Sequence, residues 1–335
     1  MNHINILRRA FNLTVNYRAL WIFGILLALT TGSGISSSGS GSNNSSSNNN
    51  APDFNWQNPF GRIDIAPELM NLLLGIAIGL ACLVLVLIVV GTIVRYVSET
   101  ALIRMIDEHE NSGEKLTVRQ GFRLGWSRRA WKIFLMDLLV GLGFITIFLL
   151  LLALAALPLL VWLTQNTPLQ VIGTVISVGL IVLLIFAAIL AALAITLILI
   201  FARRVCALEN LGVRASLRRG YERVRQRLGD VILMGVMMFG IELAWGLATF
   251  LVMLAVIVAA ALIAGLPALL VGSITGLFAQ GTTPWIAAAI VGVPIFLIAV
   301  IIPGALIGGW RQVFSSGVWT LTYREVLALE QTKVT

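Results

Sequence analysis

LLVGLGFITIFLLLLALAALPLLVWLTQNTPLQVIGTVISVGLIVLLIFAAILAALAITLILIFA, residues 138–202, contains no charged side chain, and neither does the stretch at 243–310. About 20 apolar residues are enough for one helix to cross the hydrocarbon core of a bilayer. Each stretch therefore has room for more than one crossing. Of the 335 residues, 59% are hydrophobic and 11% are charged, whereas a soluble domain carries roughly 25% charged residues. The sequence predicts an integral membrane protein.

The apolar segments predict an all-α fold. In lipid the backbone polar groups must be satisfied internally, which leaves helices and closed barrels. The segments lack the alternating polarity of barrel strands, so we predict a polytopic protein with six transmembrane helices. We expect the further apolar piece at 267–279 to be re-entrant or interfacial. The six predicted spans are 18–31, 68–94, 133–160, 170–201, 231–263 and 285–309.

A tract rich in Gly, Ser and Asn follows the first predicted span. Such a composition cannot bury enough apolar surface to fold, so we predict a flexible external loop over residues 32–58. The arginines and short apolar run before this tract also fit a signal peptide. No clean small-x-small cleavage site follows, and we favour an uncleaved helix.

The basic residues predict the orientation in the membrane. Of 23 Lys and Arg residues, only Arg62 falls on the side that holds the loops at 32–67, 161–169 and 264–284. Basic loops stay in the cytoplasm. We therefore predict a multi-pass protein of the bacterial cytoplasmic (inner) membrane with both termini in the cytoplasm.

A short basic motif occurs three times, each time before a hydrophobic hairpin: LRRAF at 7–11, FRLGW at 122–126 and LRRGY at 217–221. Residues 116–128 and 211–223 align without a gap and share six identities in thirteen positions. Repeats of this kind define an architecture. We predict a single membrane domain, 1–335, built from three repeats of an amphipathic elbow helix plus a transmembrane hairpin. The predicted repeats cover 3–110, 114–210 and 211–330.

The arginines of the elbows are the first candidate functional residues. In the third elbow, Arg214, Arg218 and Arg225 share one helix face and an apolar stripe runs along the helix beside them, which is typical of a helix lying in the membrane interface. Such residues attract anionic phospholipid, although they also anchor helices without binding a specific lipid. The cytoplasmic segments are too short to form a nucleic-acid-binding domain. The candidates for contact with lipid headgroups are Arg119, Arg123, Arg128, Arg214, Arg218 and Arg223.

Glu242 is the candidate polar residue inside the membrane. It follows Asp230 by twelve residues, which places it about 18 Å deeper at a rise of 1.5 Å per residue. A carboxylate at that depth usually faces a partner or water. It is either a proton or cation site in a polar cavity, or a protonated side chain bonded to a neighbouring helix. Against transport, we find no basic residue at a similar depth in another predicted span.

Catalytic chemistry has little support in this sequence. The two histidines, His3 and His109, lack the HExxH spacing that places two zinc ligands on one helix face. No phosphate-binding glycine loop is present. We therefore predict no enzyme activity, no catalytic residues, no metal and no cofactor.

Three stretches carry a family resemblance: RRAFNLTVNYRALWIFGILL at 8–27, ARRVCALENLGVRASLRRGYERVRQRLGD at 202–230 and VWTLTYRE at 318–325. They resemble a broad group of uncharacterised six-helix proteins of the bacterial inner membrane. The group includes the membrane domain attached to some glycerophosphodiester phosphodiesterases. This chain shows no phosphodiesterase domain, so the resemblance implies a lipid-associated or accessory role without hydrolysis.

The sequence therefore leaves three functions open. The first is association with membrane lipids, with anionic phospholipid bound, organised or moved. The second is transport of a small molecule or ion through a pathway that contains Glu242. The third is a scaffold that holds a membrane-protein partner or a second copy of the chain.

Overall fold

The computed structural model describes residues 2–32, 67–163, 167–278 and 283–331, and these residues form helices and no strand. The helices are α1 His3–Asn16, α2 Ala19–Thr31, α3 Pro67–Ser112, α4 Val118–Gly125, α5 Arg128–Ala156, α6 Thr167–Glu209, α7 Val213–Gln226, α8 Leu228–Phe278 and α9 Thr283–Gln331. The chain bends sharply between α1 and α2, and α5 continues directly into a 3-10 helix at Leu157–Leu163.

Five of the helices are long and apolar enough to cross a membrane. The longest, α8, has 51 residues and is about 76 Å long at 1.5 Å per residue. The hydrocarbon core is only about 30 Å thick. The long helices must therefore continue well beyond the core on at least one side. The all-α, multi-pass membrane fold predicted from the charge-free stretches is confirmed.

The first predicted span, 18–31, agrees with helix α2 to within one residue, but this helix is too short to cross the bilayer on its own. The chain bends by 97° between α1 and α2, and α2 itself has 13 residues. That length corresponds to about 20 Å, less than the ~30 Å core. The described residues therefore give five full-length candidate spans, or six if the bent pair counts as one. Apart from Gly32, which ends α2 with φ of 68°, the loop predicted at 32–58 lies outside the described residues.

The apolar piece near 267–279 differs from our expectation. It does not form a separate re-entrant segment, because α8 continues through Pro267 to Phe278 as one helix. Proline removes one backbone donor and usually bends or breaks a helix, which is why the sequence suggested an interruption. An antiparallel partner, α9, packs beside this part of α8 and places Ala288 against Gly272. Packing on a neighbouring helix allows the helical path to continue.

The three elbows form the short helices α1, α4 and α7, and each packs through a small residue at the matching motif position. A Cβ atom on Gly125 would lie 2.4 Å from the carbonyl oxygen of Val97 on α3. A Cβ atom on Gly220 would lie 2.9 Å from the backbone of Ala202 on α6. In the first elbow, Ala10 is fully buried and lies next to Gly317 of α9. Close helix packing therefore explains the small residue of the motif.

The buried core is concentrated at one end of the bundle. We call this region the elbow layer: helices α1, α4 and α7 with the adjoining parts of α3, α6 and α9 at 95–112, 201–209 and 310–331. It holds fully buried aromatic residues such as Phe201 and Tyr323. Beyond this layer, at most 11% of the residues in the most apolar segment of each long helix are buried. Exposed apolar surface of that extent requires a lipid environment.

Each elbow helix precedes a pair of apolar helices, α2–α3, α5–α6 and α8–α9. This order has the form of the predicted repeats. The division into repeats at 3–110, 114–210 and 211–330 stays a prediction, since similar order alone does not establish equivalence between the units.

Candidate functional site

A cluster of partly buried charges connects α3, α5 and α6 at the elbow end of the bundle. The guanidinium of Arg203 on α6 lies 2.9 Å from the carboxylate of Glu99 on α3 and 2.7 Å from that of Asp137 on α5. The hydroxyl of Tyr96 donates a further hydrogen bond to Asp137 at 3.1 Å. Because every charge in the cluster has a partner, it serves to hold the helix ends together.

A second cluster surrounds Glu209 at the end of α6. Its carboxylate accepts hydrogen bonds from Tyr323 at 2.6 Å and from Arg219 at 2.7 Å, and it pairs with Arg223 at 2.7 Å. Burial alone would lower the pKa of the Arg223 guanidinium, but Tyr323, Glu209 and Glu330 together raise it above its ordinary value. The arginine therefore stays charged inside the cluster.

Arg223 differs from the other candidate arginines. It is only 11% exposed, and its guanidinium also lies over the ring of Tyr323, 5.0 Å from the centroid. These contacts give Arg223 a structural role in the elbow layer, and its contact with lipid headgroups stays a prediction.

The other five candidate arginines are exposed. Arg218 forms an i,i+4 pair with Glu222 at 2.9 Å, but its side chain is 82% exposed, and such pairs contribute only about 0.3–0.5 kcal/mol. The remaining four have no hydrogen bond or ion pair with any residue that the structure describes. They are Arg119, Arg123, Arg128 and Arg214.

Arg128 stands at the edge of the α3–α5 cleft, which has a volume of about 750 Å³. Ser127, the N-cap of α5, lies beside it, and its Oγ is buried without a partner among the described atoms. The N-terminus of a helix carries partial positive charge and favours anions. The rest of the wall is aromatic or apolar: Ile88, Val89, Thr92, Ile93, Tyr96, Val97, Trp126, Ala130, Trp131 and Phe134.

Arg214 occupies a comparable position in the α5–α7 cleft, whose volume is about 710 Å³. Arg214 and Val213 come from the first turn of α7, and the remaining wall is one face of α5. That face is formed by Leu135, Leu138, Leu139, Leu142, Gly143, Thr146 and Ile147. Both clefts thus place one unpaired elbow arginine at the end of an apolar wall.

Glu242 has the basic partner that we did not find in the sequence. Its carboxylate lies 3.8 Å from the guanidinium of Arg311 on α9. From Glu242, α8 continues to Phe278 for about 54 Å, more than the ~30 Å core requires. The part of the hairpin beyond this pair is therefore long enough to cross the core alone.

Two ion pairs occupy equivalent places in their hairpins. Asp137 and Arg203 directly flank the charge-free stretch 138–202, and Glu242 and Arg311 directly flank 243–310. A hairpin brings the two ends of its sequence together, so the flanking charges meet. The sequence signal was present, but it is recognised only when the two long helices are known to be antiparallel neighbours.

The profile of one protein family matches residues 8–325, from α1 to the last part of α9. The chain belongs to DUF7544, a family of unknown function. No curated protein and no solved structure matches the chain. None of the comparisons connects this DUF7544 protein with glycerophosphodiester phosphodiesterases.

Within residues 2–32, 67–163, 167–278 and 283–331, no three His, Cys, Asp or Glu side chains lie close enough to hold a metal ion. The candidate site therefore consists of cationic side chains above apolar clefts, which suits an amphipathic anion better than an ion alone.

Proposed function

We propose that the protein binds anionic phospholipid at the elbow layer. One observation carries this proposal. Arg128 has no hydrogen-bond or ion-pair partner among the described residues, and it lies beside the apolar wall of the α3–α5 cleft. A guanidinium provides several donors in a planar arrangement that suits a phosphate. An apolar wall supports an acyl chain, with about 0.8 kcal/mol for each CH2 group buried.

The headgroup lies at the elbow end of this cleft. The phosphate is close to Arg128 and to the first turn of α5, next to Ser127, whose buried Oγ has no partner among the described atoms. The acyl chain extends along Ile88 and Ile93 on α3. Trp126 and Trp131 flank the headgroup region, where amphipathic aromatic side chains are favoured.

The α5–α7 cleft is a second, simpler site of the same type. Arg214 is its charged residue, and its wall is the leucine-rich face of α5. It lacks a counterpart of Ser127, so we expect weaker binding there.

The orientation of the bundle fits this proposal. Side chains of α1, α4 and α7 pack into one core cluster, so the basic elbows lie at one end. We propose that this end faces the cytoplasm of a bacterial cell, because basic residues remain on that side and its leaflet carries anionic lipid. The resemblance to the membrane domain of glycerophosphodiester phosphodiesterases also fits a lipid-associated role.

The test measures which lipids stay bound to the protein. Protein purified in mild detergent is incubated with phosphatidylglycerol or phosphatidylcholine, and the bound lipid is quantified by native mass spectrometry. We expect preferential binding of phosphatidylglycerol, reduced about tenfold in Arg128→Gln and less in Arg214→Gln, as expected for the loss of charge-assisted hydrogen bonds.

Arg225→Gln is the matched control. Replacing Arg225 removes one positive charge, as Arg128→Gln does. Arg225 is exposed on α7 and lines neither cleft, so this variant changes the net charge without changing a cleft. If Arg225→Gln lowers the binding as much as Arg128→Gln, the elbows act only through general charge and the cleft proposal is wrong.

The transport and scaffold alternatives have no comparable observation in their favour. Transport through Glu242 requires a polar path across the rest of the hairpin, and the stretch 243–310 that follows Glu242 carries no charged side chain. A partner protein or a second copy would find much exposed apolar helix, but lipid covers such a surface equally well.

A further inference from the structure

A separate cleft lies between α2 and the α8–α9 hairpin. Its volume is about 440 Å³, and three tryptophans from three helices form one side: Trp21, Trp245 and Trp310. The ring centroids of Trp21 and Trp310 are 5.6 Å apart, and those of Trp245 and Trp310 are 6.5 Å apart. The other lining residues are Ile25, Ala248, Thr249, Val252, Leu306 and Ile307. We call it the tryptophan cleft.

The Glu242–Arg311 pair lies at the elbow end of this cleft. Trp245 follows Glu242 by three residues and Arg311 follows Ile307 by four. Residues at these spacings share a helix face, so both charges continue the faces that line the cleft. An amphipathic molecule in the cleft therefore places its polar end beside the two charges.

This pair is open, unlike its counterpart in the other hairpin. Arg311 and Glu242 are 38% and 42% exposed at a separation of 3.8 Å. Arg203 and Asp137 are 22% and 12% exposed at 2.7 Å. An exposed pair at such a distance contributes little to stability. Neither Glu242 nor Arg311 has another recorded partner in the described part of the chain, so both remain available to a ligand.

We infer that the tryptophan cleft binds a zwitterionic phospholipid whose headgroup carries a primary amine, with phosphoethanolamine as the simplest example. Arg311 donates to the phosphate, since a guanidinium binds phosphate oxygens in a bidentate manner. Glu242 accepts hydrogen bonds from the ammonium group. One cation and one anion together match a zwitterion and give no net attraction to an anionic headgroup.

The tryptophans contribute in two ways. A cation is stabilised over an indole face, which favours the ammonium group beside Trp245. The indole N–H groups of Trp245 and Trp310 have no acceptor among the described residues, whereas Trp21 donates to the carbonyl of Thr14 at 2.6 Å. Two donors therefore remain for the phosphate or glycerol oxygens of the ligand, and the acyl chain lies along Val252 and Leu306.

The experiment compares phosphatidylethanolamine, phosphatidylcholine and phosphatidylglycerol by native mass spectrometry of the full-length protein. We expect Glu242→Gln and Arg311→Gln each to lower the binding of phosphatidylethanolamine about tenfold. Glu222→Gln is the matched control, because it neutralises a carboxylate in an exposed pair on α7 away from the cleft. That control should bind phosphatidylethanolamine as the parent does.

A steric variant keeps the test decisive if a charge variant does not fold. Ala248→Phe fills the cleft and leaves both charges in place, and we expect it to lower phosphatidylethanolamine binding by a similar factor. The proposal is overturned if Arg311→Gln and Ala248→Phe both bind this lipid like the parent. It is also overturned if the parent binds phosphatidylcholine equally well, because the primary amine would then have no role.

This inference does not rest on the binding of anionic lipid at the elbow arginines. Failure of that proposal appears as unchanged phosphatidylglycerol binding in Arg128→Gln, whereas failure here appears as unchanged phosphatidylethanolamine binding in Arg311→Gln. The two results come from different variants and different lipids, so either proposal can fail alone.

Discussion

Replacing Arg203 with glutamine removes the cation that connects α3, α5 and α6. In the native protein its guanidinium lies 2.9 Å from Glu99 and 2.7 Å from Asp137. The two carboxylates are 14% and 12% exposed. In Arg203→Gln they face each other without a counter-charge in a region that water barely reaches.

The expected loss of stability follows from this burial. Removing one partner of a buried ion pair costs about 3–5 kcal/mol, because the remaining charge stays desolvated. Arg203 retains 22% exposure, so we expect a value at the lower end, about 3 kcal/mol. The exposed pair of Arg218 and Glu222 offers a comparison, since Arg218→Gln should cost no more than about 0.5 kcal/mol.

Unfolding in mixed micelles of increasing SDS content, followed by circular dichroism, measures the difference. A triple variant in which Glu99→Gln and Asp137→Asn accompany Arg203→Gln should regain much of the lost stability, because no buried charge remains unpaired. If Arg203→Gln unfolds at the same SDS fraction as Arg218→Gln, the cluster does not hold the helix ends together and our reasoning about it is wrong.

Two further predictions concern the packing of the elbow layer and use the same assay. Gly220→Ala should destabilise the protein by about 1–3 kcal/mol, because the added Cβ would lie 2.9 Å from backbone atoms of α6. Gly240→Ala is the matched control, since no atom lies within 4 Å of its added Cβ. Equal stability of the two variants would contradict the close-packing argument. Tyr323→Phe should lower the free energy of unfolding by about 1–3 kcal/mol, as expected for the loss of a hydrogen bond to a charged group, because the Tyr323 hydroxyl donates to the carboxylate of Glu209 on α6 at 2.6 Å. An unchanged unfolding midpoint would mean that this bond contributes nothing.

The sequence by itself determined the class of the protein. Stretches 138–202 and 243–310 carry no charge, and the preference of a helix for lipid or water is a sum over its own residues. The short basic elbows were also recognisable, because an amphipathic pattern is local. Both properties depend on neighbours in the sequence and not on which helices meet.

The exact extent of the spans was not recoverable from composition. The first predicted span agrees with α2 to within one residue, whereas α8 passes through Pro267 to Phe278, well beyond the predicted end at residue 263. Apolar residues at the end of a span and in a following loop look alike in the sequence. Whether the helix continues is decided by the helices that pack beside it.

Only the tertiary structure decided which charged side chains are available. Arg128 and Arg223 occupy the same position in the aligned motifs, yet Arg128 is exposed at a cleft and Arg223 is held by Glu209 at 2.7 Å. Glu242 looked unpaired until α9 placed Arg311 beside it. The type of a side chain is local information, but its partners come from distant parts of the chain, and the partners decide whether a charge stabilises the fold or remains free to bind a ligand.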